Sequence, residues 1–139
     1  METGTLLGYS GIELLRSAFA AMVAILFLQS GLSKVFSWKG EVEWLTGHFA
    51  KSPLKGTVPL LLTVITVVEL AAGTCAGIGL VQVLLHGGAL VGAWGMALGA
   101  LAIILLFFGQ RMAKDYAGAA ALVPYFLMTV AGLYFFLAA

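Results

Sequence analysis

From Val58 to Phe108 the chain runs for 51 residues with one formal charge, Glu69. A soluble domain of 139 residues has no core large enough to hide such a run. A hydrocarbon layer of about 30 Å is crossed by about 20 apolar residues in a helix. The run therefore holds two membrane-crossing helices, with a single carboxyl near the middle of the first. A charge at that depth costs about 2.5–3.5 kcal/mol on insertion scales. Glu69 thus calls for a partner or a task.

The rest of the chain fits the same solvent. Hydrophobic residues make up 62% and charged residues 9%, against about 25% charged in soluble domains. No water-soluble surface can be assembled from this inventory. The expected fold class is all-α, a transmembrane four-helix bundle forming one domain over residues 1–139. Its spans are predicted at about 12–35, 59–83, 88–109 and 116–137. Thr57 is the expected N-cap of the second span, and Pro59 suits a first turn. The start of the chain lacks a basic segment before its apolar run and reads as a retained helix rather than a signal peptide. One cysteine, Cys75, excludes an internal disulfide and a CxxC dithiol. A net charge of +1 gives no reason to expect nucleic acid as a partner.

The connections are short except the first. Residues 36–56, FSWKGEVEWLTGHFAKSPLKG, mix Trp38, Trp44 and Phe49 with charges, and Val42, Leu45 and Phe49 fall at helical spacing. That pattern predicts a short amphipathic helix lying at the membrane interface. Lys34, Lys39, Lys51, Lys55, Arg111 and Lys114 gather on one side and Arg16 on the other. The excess places loops 36–56 and 110–115 in the cytoplasm and both termini outside.

Gly88, Gly92, Gly95 and Gly99 share one face of the third span. Such a stripe lets another backbone approach closely. It serves packing within the bundle, or docking of a larger subunit or a flat ligand, and these four are the docking candidates. Around Glu69, Thr66 and Gly73 share its helix face. Glu69 lies about 18 Å along its helix, at the depth of Thr129, with Tyr125 a turn shallower and Gln29 shallower by about 8 Å. Tyr125, Thr129 and Gln29 are the expected hydrogen-bond partners. Burial disfavours the charged form of a carboxyl, and a neutral Glu donates one hydrogen bond while accepting others. Glu69 is therefore a candidate proton-handling group, a donor to a quinone carbonyl, or a structural clamp between helices. Lys34, near the expected membrane edge, is read as snorkelling to headgroups rather than pairing with Glu69. Arg16 is expected to meet lipid phosphates or a neighbouring chain. His48 and His86 fall on opposite membrane faces, so one chain cannot bring both to one iron. No metal site is expected, since the usual His and carboxylate clusters are missing from the sequence.

Two segments carry a family resemblance. GLSKVFSW, at the end of the first span, resembles the GxxK-F element of the DoxX-like membrane proteins. VVELAAGTCAGIGL resembles their "EL…G…GL" element, with Glu69 and Gly73 in matching places. The resemblance covers about residues 14–137; the fourth span matches it only loosely. It implies a four-helix protein of the bacterial inner membrane, with relatives tied to quinol oxidase and thiosulfate:quinone oxidoreductase complexes. By position, Lys34 and Glu69 would be the family's polar residues. The fold also resembles that of vitamin K epoxide reductase, whose thiol pair this chain lacks. The expected function is a small accessory subunit of an electron-transfer complex beside a quinone site, with larger membrane subunits as partners and no intrinsic cofactor. The alternatives are a quinone-binding oxidoreductase component using Glu69, and a membrane-protein assembly factor without a cofactor.

Overall fold

The computed structural model describes residues 4–138. It opens with a small antiparallel hairpin, β1 (Thr5–Leu6) and β2 (Tyr9–Ser10). Leu7 and Gly8, at φ 55° and 84°, form its two-residue turn, the left-handed geometry that matches strand twist. Sequence reasoning had placed no strand here.

Helix α1 (Gly11–Phe36) follows at once. Ser10 and Glu13 exchange side-chain and backbone hydrogen bonds in a capping box. Then come α2 (Trp38–His48), α3 (Val58–Leu84), α4 (Leu90–Met112), α5 (Tyr116–Ala120) and α6 (Val123–Leu137). Among the described residues, four helical segments are long and apolar enough to cross a membrane: α1, α3, α4 and the α5–α6 pair. The chain has the build of a multi-pass membrane protein. Its outward faces are apolar along their length, with Ile25, Val67, Ile104 and Leu127 all exposed, which suits a lipid surround.

The first two spans lie within a residue of their expected bounds. The third span is shifted toward its C-terminus: Gly88 lies outside it, and α4 takes in Gln110 and Arg111. The fourth departs more. Its helix breaks at Ala121–Leu122, ahead of Pro124 in the first turn of α6. Proline has no N–H for the Ala120 carbonyl, and its ring crowds that position. Thr57 does not cap α3; its hydroxyl bonds to the Leu54 carbonyl instead.

Both α3 and α4 end in a Schellman turn. Gly87 N donates to Gln82 O and His86 N to Val83 O; Asp115 N donates to Gln110 O and Lys114 N to Arg111 O. The left-handed residue, usually glycine, is His86 at one end and Lys114 at the other, at φ 57° and 61°. His86 is held there by stacking on Tyr9, at 4.8 Å between rings, and by Glu13, whose Oε2 lies 2.9 Å from Nδ1.

The helices close into a ring in which α1 packs on α3 and α6, and α4 packs on α3 and α6. Small residues set the spacing. A Cβ on Gly73 would stand 2.8 Å from the Leu28 backbone nitrogen, and one on Gly95 would stand 2.6 Å from that of Ala76. Without those methyls, helix axes draw together and many weak contacts add up. The core is Ala20, Val23, Phe27, Leu62, Ala72, Ala76, Met96 and Ala102, all fully or almost fully enclosed.

Candidate functional site

The site begins where α1 and α3 touch. Gly31 lies under the Leu70 side chain, and Gly73 against Leu28. That close fit sets Ser30 level with Glu69, on facing helix surfaces. Glu69 is 1% exposed. Ser30 Oγ donates to Glu69 Oε2 at 2.8 Å. Lys34 Nζ donates to Ser30 Oγ at 2.8 Å and lies 3.0 Å from Glu69 Oε1. The last contact is an ion pair without hydrogen-bond alignment, because Oε1 has no donor aimed along its lone pairs.

Lys34 therefore corrects the expectation that it snorkels outward. In a helix each Cα–Cβ bond tilts toward the N-terminus. At the C-terminal end of α1, that tilt carries the Lys34 stem back along the helix toward Ser30, one turn deeper. Its side chain keeps only 16% exposure. The tilt closes the gap that a count of residues from the membrane edge leaves open.

The magnitudes say what the pair does. Two unit charges at 3 Å attract by about 5.5 kcal/mol at an effective dielectric constant of 20. Desolvating both costs several kcal/mol, so a buried pair roughly breaks even against an apolar replacement. Losing one partner is different, since it strands the other charge. The pair fixes the register of α1 against α3 more than it stabilises the bundle.

Tyr125, Thr129 and Gln29 do not join this group. Thr129 is fully buried, but its hydroxyl turns back to the Phe126 carbonyl. Tyr125 and Gln29 are on the exposed side of their helices. Thr66 is buried one turn from Glu69, with no hydrogen-bond partner among the described residues. The docking stripe is also corrected. Gly92, Gly95 and Gly99 are consumed inside the chain by Gly79 and Phe136, by Ala76, and by Phe27 and Thr129. Only Gly88, beyond the helix, stays open. Arg16 likewise turns inward, donating from Nε to Phe135 O and from Nη2 to Ala138 O, each at 2.7 Å, and so caps α6.

Beside the ion pair lies a cavity of about 410 Å³ between α2, α3 and α4. Its walls are Leu45, Phe49, Leu61, Leu62, Ile65 and Leu106, with Lys34, Glu41 and Gln110 as its polar members. Leu60 and Val64 on α3 and Leu105 and Phe108 on α4 also line it, and all four are exposed on the apolar exterior. The cavity therefore opens sideways, between two membrane-crossing helices. Lys34 reaches both compartments. An ammonium has three donors. Ser30 takes one and Glu69 at most one more, so at least one remains for an acceptor in the cavity.

Two further polar clusters mark the bundle ends. His48 Nε2 lies 2.8 Å from Gln110 Oε1 and 3.6 Å from Asp115 Oδ2. At the far end are His86, Glu13 and Tyr9, whose hydroxyl donates to Leu84 O at 2.6 Å. The two histidines stand at opposite ends, as their loops require. Among the described residues, no three His, Cys, Asp or Glu side chains gather to hold a metal ion. Ser30, which bridges the pair, was missed in the sequence; its signal was the four-residue step to Lys34 on one helix face.

No protein-family model matches the chain, and no curated protein or solved structure matches it.

Proposed function

We propose that the protein is a small integral-membrane component of an electron-transfer complex that binds a quinone in the α2–α3–α4 cavity. The observation that carries this is Lys34: its ammonium is charge-paired with Glu69 yet keeps a donor for an apolar cavity open toward the lipid. Apolar walls with few convergent polar groups are the usual make-up of a small-molecule site. Because Glu69 already balances Lys34, an anionic head such as a fatty-acid carboxylate would add uncompensated buried charge. A neutral acceptor, such as a quinone carbonyl, adds none. The isoprenoid tail would leave between Val64 and Leu105 into the bilayer.

When bound, a quinone supplies two-electron, two-proton chemistry. This chain contributes a donor at Lys34 Nζ and, through Ser30 Oγ, a hydrogen-bonded path to Glu69 Oε2. The path ends within the protein at Glu69, so it serves the cavity and does not cross the bundle. Redox centres belong to larger partner subunits. This reading keeps the chain among DoxX-like proteins of the bacterial inner membrane. Helix α2 rests at the interface, its end of the bundle faces the cytoplasm, and both termini lie outside.

A second reading, a docking subunit without its own ligand, is favoured by one observation. A shallow groove lined by Leu28, Gly73, Gly77, Ile78 and Val81 leaves Gly77 open on the outer surface of α1 and α3. Gentle extraction from native membranes, with chromatography of the co-purifying lipids and mass spectrometry of companions, tests both. Quinone retained by the wild type and lost in the double variant Lys34→Met/Glu69→Leu, which leaves no buried charge stranded, supports the site. Companions without quinone support the docking subunit. A chain that carries neither overturns both.

A further inference from the structure

We propose that α2 is a hinged cover on the water-facing side of the cavity and that His48 is the residue that positions it. The proposal rests on reading the cavity as a ligand site and adds how that site communicates with water.

Helix α2 is attached lightly. A single non-helical residue, Ser37, separates it from α1, and no α2 residue is fully buried. It leans on the bundle through Trp38, Val42 and Leu45, while Glu41 and Leu45 form part of the cavity wall. Segments held by few buried contacts open locally at low cost. Among the described residues, the side-chain hydrogen bond from α2 to another element is the one between His48 and Gln110, since Thr46 bonds within its own helix.

That bond sits at the cavity rim, because Gln110 itself lines the cavity. Both groups facing Nε2, the Gln110 carbonyl and the Asp115 carboxylate, are acceptors, so Nε2 carries the hydrogen. Trp44 stacks on the His48 ring at 4.7 Å and 17°, which holds the ring in the plane that reaches Gln110. The next residue, Phe49, is buried with its ring 3.5 Å from a Cβ position on Gly109 and acts as the plug beneath the cover. His48 thus holds down the end of α2 that keeps Phe49 in place. The slit between α3 and α4 admits an apolar tail from lipid, and the edge under α2 admits water and protons to Lys34.

The test reads access from water directly. The protein carries Cys75→Ser and Leu106→Cys, a position on the cavity wall, and sits in lipid nanodiscs. A membrane-impermeant, water-soluble maleimide labels it. Loss of one net hydrogen bond should speed labelling roughly five- to tenfold in His48→Ala. His48→Gln, which keeps a donor at similar reach, should return the rate toward that of the parent. A control with Ala72→Cys, in the closed core, should stay unlabelled throughout. Equal labelling with and without His48 overturns the proposal. So does equal acceleration at Ala72→Cys, which would mean general loosening. The measurement uses no quinone, so it stands or falls separately from the retention experiment above.

Discussion

Removing one member of the Lys34–Glu69 pair should harm the bundle far more than removing both. In Lys34→Met the Glu69 carboxyl, 1% exposed, keeps only Ser30 as a partner. Breaking a buried pair in this way costs about 3–5 kcal/mol. In Glu69→Leu the ammonium is left with Ser30 and the cavity, where its 16% exposure offers partial relief. A cost of about 1–3 kcal/mol is expected, that of a poorly satisfied polar group. In the double variant Lys34→Met/Glu69→Leu no charge remains buried, and the net change should fall within about 1 kcal/mol of the wild type, since apolar replacement of a buried pair is often neutral. The coupling energy is then about 3 kcal/mol or more, at the top of the range for residues in contact. Unfolding in mixed micelles, followed by far-ultraviolet circular dichroism, measures all four proteins. Single costs that simply add in the double variant would refute the reasoning, because additivity means that the two side chains do not meet.

Other expectations follow from the packing and the turns. Gly92→Ala places its methyl into the Phe136 ring, so the bundle should lose about 1–3 kcal/mol, the usual cost of overpacking, seen as a lower thermal midpoint. Gly77→Ala, inside α3 with open space around it, should leave that midpoint level or raise it slightly, because alanine is the better helix former. At His86, φ 57°, glycine removes a left-handed backbone cost of about 1–2 kcal/mol. His86→Gly should therefore be tolerated despite losing Tyr9 and Glu13, whereas His86→Val should lower the midpoint. A reporter active only outside the cytoplasm, fused after the last residue, should be active; cytoplasmic activity would reverse the proposed orientation.

The spans were legible because hydropathy and length act locally: a run of apolar residues crosses lipid as a helix whatever its neighbours do. That the first connection holds a helix was legible from the spacing of Val42 and Leu45, with Phe49 just past its end. The break before Pro124 was readable too, since a proline removes a defined hydrogen bond, but the continuous hydropathy of residues 116–137 masked it. What sequence could not supply was direction. Depth along a helix put Lys34 at an edge and Thr129 beside Glu69, yet rotation about the axis and the backward lean of side chains decide which groups meet. The α4 glycines announced a close approach but not its partner; Gly79 of α3 and Phe136 of α6 are found only by closing the ring. His48 with Gln110 and Tyr9 with His86 join residues 62 and 77 positions apart, with no local pattern to link them.

The most direct test of the account is the distance between the Lys34 ammonium and the Glu69 carboxyl in a lipid bilayer. Rotational-echo double-resonance NMR on protein labelled with ¹⁵N in the lysine side chains and ¹³C in the glutamate side chains reports it, with Lys34→Arg as the assignment control. The structure predicts strong dephasing of one carboxyl carbon, in keeping with a nitrogen–oxygen contact of 3.0 Å. If no carboxyl carbon dephases, the ammonium lies at the headgroups, and both the pair and the site built on it are wrong.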